Sequence, residues 1–128
     1  MLALSHGLDV FVVHEPVSFG MGMTGLSLYC ETILSKSALS GALFVFRNKR
    51  SNMIRVLVFD GAKLWLVTGK QVDGKIPWWP TGQGVLSELA VAELQIILHG
   101  GHAKAAFIPA PYRQIPTKTN IKTPQKLD

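Results

Sequence analysis

Little in this chain is suited to covalent chemistry. It has one cysteine, Cys30, in 128 residues, which excludes an internal disulfide and any zinc cluster built on cysteine ligands. Asp and Glu number only 8, and no two stand at a helix or strand spacing suited to acid–base work or a two-metal site. Serines are frequent, but none lies in a nucleophile elbow. His99 and His102 stand three apart at an expected helix end. A third metal ligand is not evident beside them, so the structural reading of that pair is favoured. No apolar run exceeds about five residues, whereas a membrane-spanning helix needs ~20. The N-terminus has no basic leader and Asp9 interrupts its apolar stretch, so the expectation is a cytoplasmic protein without a signal peptide.

What the chain does have is apolar mass and positive charge. Hydrophobic residues make up 48%, and the mean hydropathy of +0.26 suggests that some apolar surface faces a partner. The length allows one domain with one core. The formal net charge is +5, and the sequence pI near 9.6 attracts polyanions, of which nucleic acid is the usual one. The same balance also occurs in basic proteins that are merely soluble.

Charge and apolar mass meet in the stretch 43–79. Residues 43–46, Met53–Phe59 and 64–67 are rich in Val, Leu, Phe and Trp and read as strands. Asp60-Gly61 and Asp73-Gly74 are hairpin signals, and Arg47 to Asn52 is a polar turn with two asparagines. The expected architecture is α+β: a small antiparallel β-meander packed with two helices, which a short fourth strand around 71–77 would extend. Alternation puts Ile54, Val56 and Val58 on one face and Arg55, Leu57 and Phe59 on the other. Seven basic residues lie between Arg47 and Lys75 against Asp60 and Asp73, so the local balance of +5 equals the net charge of the whole chain.

Residues 9–14 read as a buried strand, ended by Pro16. Gly20, Gly22 and Gly25 then spell GxGxxG, the spacing of a dinucleotide fingerprint. No crossover to a parallel strand is expected after it and no acidic residue ends a second strand, so no cofactor is assigned. Without charge, the 17–25 loop reads as mobile and unliganded. Leu26, Cys30, Ile33 and Leu34 recur as one face of a helix over 23–37, on which Cys30 is a small core residue. Trp78 and Trp79, between Pro77 and Pro80, either pack on the sheet or meet a partner, packing being the simpler reading. Residues 85–89 read as extended, followed by a helix over 91–99 with Leu94, Ile97 and Leu98 inward; a helix capped by Ser87 is the alternative. The domain is expected over 1–108. The remaining 109–128 hold four prolines and a charge of +3 and read as a disordered basic tail.

The run Ser40-Gly41 into Phe44-Val45-Phe46-Arg47-Asn48, then an apolar strand ending in Asp60-Gly61, and later Gly74-Lys75-Ile76-Pro77-Trp78, resembles the TnpB, or Orf2-like, accessory proteins of bacterial insertion sequences of the sixty-six family. These are unrelated to the RNA-guided nuclease that shares the TnpB name. The resemblance spans about 7–101. It implies a non-catalytic role beside a separate transposase, with DNA, the transposase and other proteins of the element as partners. Arg47, Lys49, Arg50 and Arg55 match the family's basic turn and strand. With Lys70 and Lys75 they form the expected nucleic-acid-binding set, and Trp78 and Trp79 the expected partner-binding pair. One departure stands out. The family's Thr-Asp-Met-Arg-Lys-Gly loop is here Val17, Ser18, Phe19, Gly20, Met21 and Gly22, without the acid or either base. The rival reading is a protein-interaction subunit with no nucleic-acid contact.

Overall fold

A computed structural model describes residues 8–99. Its elements in chain order are strand β1 (Val10–Val13), helix α1 (Gly22–Thr32), strands β2 (Leu43–Arg47), β3 (Met53–Phe59), β4 (Leu64–Lys70) and β5 (Leu86–Leu89), and helix α2 (Val91–Leu98). The strands form one sheet in the order β4-β3-β2-β1-β5. β2, β3 and β4 are the expected antiparallel meander, with Phe59 opposite Leu64 across the Asp60-Gly61 turn. Gly61 has φ +99°, which the turn requires and which glycine adopts without a Cβ clash.

The centre of the sheet overturns one expectation. β1 and β2 pair in parallel, with Val10 opposite Leu43 and Val12 opposite Val45, so β1–α1–β2 is a crossover unit. Parallel neighbours need a connection of a dozen or more residues, and the segment containing α1 supplies it. Strands in such a position are buried on both faces and read as continuous apolar runs rather than alternating ones. VFVV and LFVF are runs of that kind. The glycine pattern therefore does follow a strand and open a crossover helix. Two of its three glycines are nonetheless accounted for by the chain itself. Gly22 has φ +71°, and a Cβ on Gly25 would lie 2.9 Å from the Cβ of Met21.

The two helices cover opposite faces of the sheet. Leu26 and Cys30 of α1 pack with Phe44, Phe46 and Leu57 on one face, and Leu94 and Ile97 of α2 with Val10, Val12, Val45 and Val56 on the other. Ile54, Val56 and Val58 thus share the α2 face and Leu57 the α1 face, as alternation requires. α1 stops earlier than its periodicity suggests. It ends at Thr32, and Ser35 at φ +56° redirects the chain, so Ile33 is exposed while Leu34 remains buried. Leu98, in the last turn of α2, is likewise exposed. The N-cap of α2 is Ala90, whose N–H donates to the Glu93 carboxylate at 2.9 Å. Ser87, the alternative cap, lies in β5. Its hydroxyl is 2.6 Å from His14 Nε2, and His14 Nδ1 lies 3.0 Å from the Gly84 carbonyl. This buried clamp fastens the end of β1 to the start of β5.

Residues 71–77 are not a strand but a loop of bends. The Asp73-Gly74 signal makes a turn within it, Gly74 having φ +73°, and the extended segment expected separately at 85–89 is β5, at the far edge of the sheet. The 17–25 loop is not free either. Val17 is buried, its N–H donates to the Arg47 carbonyl at 3.0 Å, and Arg55 binds the Phe19 carbonyl. No described helix is long and apolar enough to cross a membrane. The tail at 109–128 and His102 lie outside the described residues.

Candidate nucleic-acid interface

The β2–β3 turn is built by its two asparagines. Asn48 Oδ1 accepts the N–H groups of Asn52 and Met53, each at 3.0 Å, and Asn48 Nδ2 donates to Asn52 Oδ1 at 2.7 Å. The Ser51 N–H donates to the Asn48 carbonyl, and Ser51 itself takes φ +56°. Such side-chain-to-backbone bonds are how asparagine shapes a tight reversal. They leave Lys49 and Arg50 exposed at the tip.

The loop after β4 joins this turn directly. The Gln71 N–H donates to the Asn52 carbonyl and the Ile76 N–H to the Ser51 carbonyl, both at 2.7 Å. Ile76 also packs on the α2-side core. Lys75, next to Ile76, is therefore carried to the side of the Arg50 turn, and Lys70 stands opposite Met53 at the same end of the sheet. Lys49, Arg50, Lys70 and Lys75 are all exposed, and their charged groups have no hydrogen-bond or ion-pair partner among the described residues. Asp73 is the one carboxylate in the two connecting segments.

Two of the expected site residues are elsewhere engaged, because strand backbone directs their side chains across the sheet and not into water. Arg47, the last residue of β2, turns onto the α2 face. Its Nη2 donates to the His14 carbonyl at 2.9 Å, its Nη1 to Ser51 Oγ at 3.3 Å, and its guanidinium lies 5.6 Å from the Trp79 ring centre. Burial lowers its pKa, and Glu15 partly opposes that shift. Arg55, in mid-β3, donates through Nε to Thr68 Oγ1 and through Nη1 to the Phe19 carbonyl, with its guanidinium 4.5 Å from the Phe19 ring centre. These two arginines hold the sheet and its neighbouring loop together.

The tryptophans divide in the same way. Trp79 is buried and its Nε1 donates to the Val13 carbonyl at 2.8 Å, which makes it a core residue. Trp78 is half-buried against the α2-side cluster. What residue-by-residue reading missed is the joining of the two turns. The only signal for it was Ile76, an apolar residue in an otherwise polar loop that had to be buried somewhere.

Residues 8–106 match the family model described as IS66 Orf2 like protein. The chain belongs to that family. It is also similar to two uncharacterised proteins of Sinorhizobium fredii. Identity to y4jC is 32% over 100 residues, covering 78% of this chain and 85% of that one. Identity to y4hO is 27% over 100 residues, covering 78% and 86%. No solved structure matches it. Family and fold together support a non-catalytic accessory role in insertion-sequence transposition.

Proposed function

We propose that this IS66 Orf2-like protein assists transposition by binding DNA, or a transposase–DNA complex, through the basic end of its meander. Lys49, Arg50, Lys70 and Lys75 make the phosphate contacts, while Arg47 and Arg55 hold the strands that present them. The observation that carries the reading is the pair of backbone bonds from Gln71 and Ile76 to the β2–β3 turn, which brings two basic segments together. Four cations on a short, internally braced surface suit a run of phosphates. Contacts of that kind position a protein on a duplex without reading its sequence. Discrimination of the element's ends would then rest with the transposase.

A second reading is supported by exposed apolar side chains on the same half of the molecule, Val67, Val72 and Leu98 among them. Under it the protein is an interaction subunit whose partners are other proteins of the element, with Trp78 contributing from the adjoining loop. A pull-down with the element's other proteins, with and without nuclease, separates the two. Association lost on nuclease treatment supports bridging through DNA. Association that persists overturns it in favour of direct protein contact.

A further inference from the structure

β4 is an edge strand of 7 residues, Leu64 to Lys70, and nothing among the described residues pairs with its outer side. Lysines stand only just before and at its end, and no proline or described bulge interrupts it, so the usual protections of an edge are absent from its middle. Which backbone groups face outward follows from its inner ladder. Asp60 donates its N–H to Lys63, and Gln71 donates to Asn52. Hydrogen-bonded and non-bonded pairs alternate in an antiparallel ladder. The bonded positions between those two limits are therefore Trp65, Val67 and Gly69, opposite Val58, Val56 and Ile54. Leu64, Leu66, Thr68 and Lys70 turn their N–H and C=O groups to the open edge.

The α2 face of the same strand is also uncovered. Trp65 and Val67 are 37% and 36% exposed, although both lie on an apolar face. Beside them runs a groove of about 290 Å³, lined by Ile54, Val56, Val67, Gly69, Leu94 and Leu98. Nothing lies within 4 Å of where a Cβ on Gly69 would stand.

We infer that β4 pairs antiparallel with β4 of a second copy, about a two-fold axis at Val67, joining two sheets edge to edge. This register matches every residue of the strand. Leu66 meets Thr68 of the second copy and Leu64 meets its Lys70, so each outward-facing group finds a partner. Val67 meets Val67 as a non-bonded pair, where side chains approach most closely. Trp65 falls opposite Gly69 of the second copy, the largest side chain against the smallest. The indole covers the bare backbone there and closes the open side of the groove, a pairing that stabilises an otherwise weak glycine position. Sliding the axis to Leu66 or Thr68 keeps the hydrogen bonds but leaves strand ends unpaired and takes Trp65 off Gly69. The Trp65 ring is already held in place, its Nε1 donating to Asp60 Oδ2 at 2.7 Å, so little side-chain freedom is lost on association.

The test is sedimentation velocity on the full chain over a range of concentrations, together with two changes at the axis. The wild type is expected to shift from monomer to dimer as concentration rises. Val67→Lys sets two ammonium groups against each other across the axis and is expected to stay monomeric, with its thermal melt by circular dichroism checking the fold. Val67→Cys is expected to form an intermolecular disulfide under mild oxidation, while Ala62→Cys, exposed in the β3–β4 turn, is not. The native Cys30 does not interfere, being buried with its thiol pushed up to about 12. A wild type that is monomeric throughout, a Val67→Lys protein that still dimerises, or a Val67→Cys protein that fails to cross-link would each overturn the inference. If the lysine variant does not fold, the cysteine pair decides.

Discussion

The two turns at opposite ends of β3 solve the same problem with different chemistry. Between β3 and β4, Asp60 accepts the N–H groups of Ala62 and Lys63 through Oδ1 and the Trp65 indole through Oδ2. Between β2 and β3, Asn48 does the corresponding work with a neutral carboxamide. A carboxylate pins its turn and also offsets the charge of Lys63. A carboxamide pins its turn and leaves Lys49 and Arg50 uncompensated. Charge asymmetry here comes first from the number of lysines and arginines, and the choice of amide over acid at a structural position keeps one more unit of it uncompensated.

That contrast can be broken from the structural side first. Arg47→Ala removes two hydrogen bonds and leaves the His14 carbonyl without its donor. It should destabilise the fold by about 1–3 kcal/mol, read as a lower urea midpoint with unchanged m-value. Arg50→Ala, three residues on, should stay within ~0.5 kcal/mol of wild type. Equal losses from the two would contradict the division between braced and free cations. Asn48→Asp sharpens the comparison by giving the basic turn the acid that the other turn has. Acceptors for the Asn52 and Met53 amides remain, and the Asn52 carboxamide, flipped to donate to the new carboxylate, replaces the bond from Asn48 Nδ2, so stability should change little. The slope of log K against log salt should flatten by about one phosphate equivalent, ~0.9.

The smallest expected effect lies at the acidic turn. Hydrogen bonds from Lys63, then Trp65 and Ala62, hold the Asp60 carboxyl down at about 2. A depressed carboxyl favours the folded turn above the ordinary carboxylate value, ~4, and that contribution fades as pH falls from there through the folded value. The indole N–H resonance of Trp65 in the folded protein should therefore titrate with its midpoint at about 2, and Asp60→Asn should abolish that movement. The Asn48 turn, held by groups that do not titrate there, should show no corresponding change.

Local chemistry was legible in the sequence and long-range partnership was not. Asp60-Gly61 with flanking β-rich runs identified the β3–β4 hairpin, and alternation assigned Val56 and Leu57 to opposite faces, because both depend on neighbours within a few residues. The parallel pairing of β1 with β2 depends on a crossover and could not be read from either strand alone. The same limit explains the arginines. Arg47 and Arg55 look like members of the basic turn in sequence, yet their acceptors are the carbonyls of His14 and Phe19, 33 and 36 residues away. Trp79 pairs with a carbonyl 66 residues distant. Lys49, Arg50, Lys70 and Lys75 needed no distant partner to be placed in water, but their gathering at one end needed the bond from Ile76 to Ser51.

The most direct test is the salt dependence of binding to duplex DNA, measured by fluorescence anisotropy for the wild type and for a variant with Lys49, Arg50, Lys70 and Lys75 all changed to alanine. Four phosphates neutralised by these residues predict a wild-type slope near −3.6, at ~0.9 per phosphate. The variant should fold normally and lose nearly all of that slope. Arg47→Met, which removes a cation from the sheet rather than from the surface, should leave it unchanged. No binding by the wild type at low salt, or the same slope in the four-fold variant, would contradict the basic end as a phosphate-binding surface.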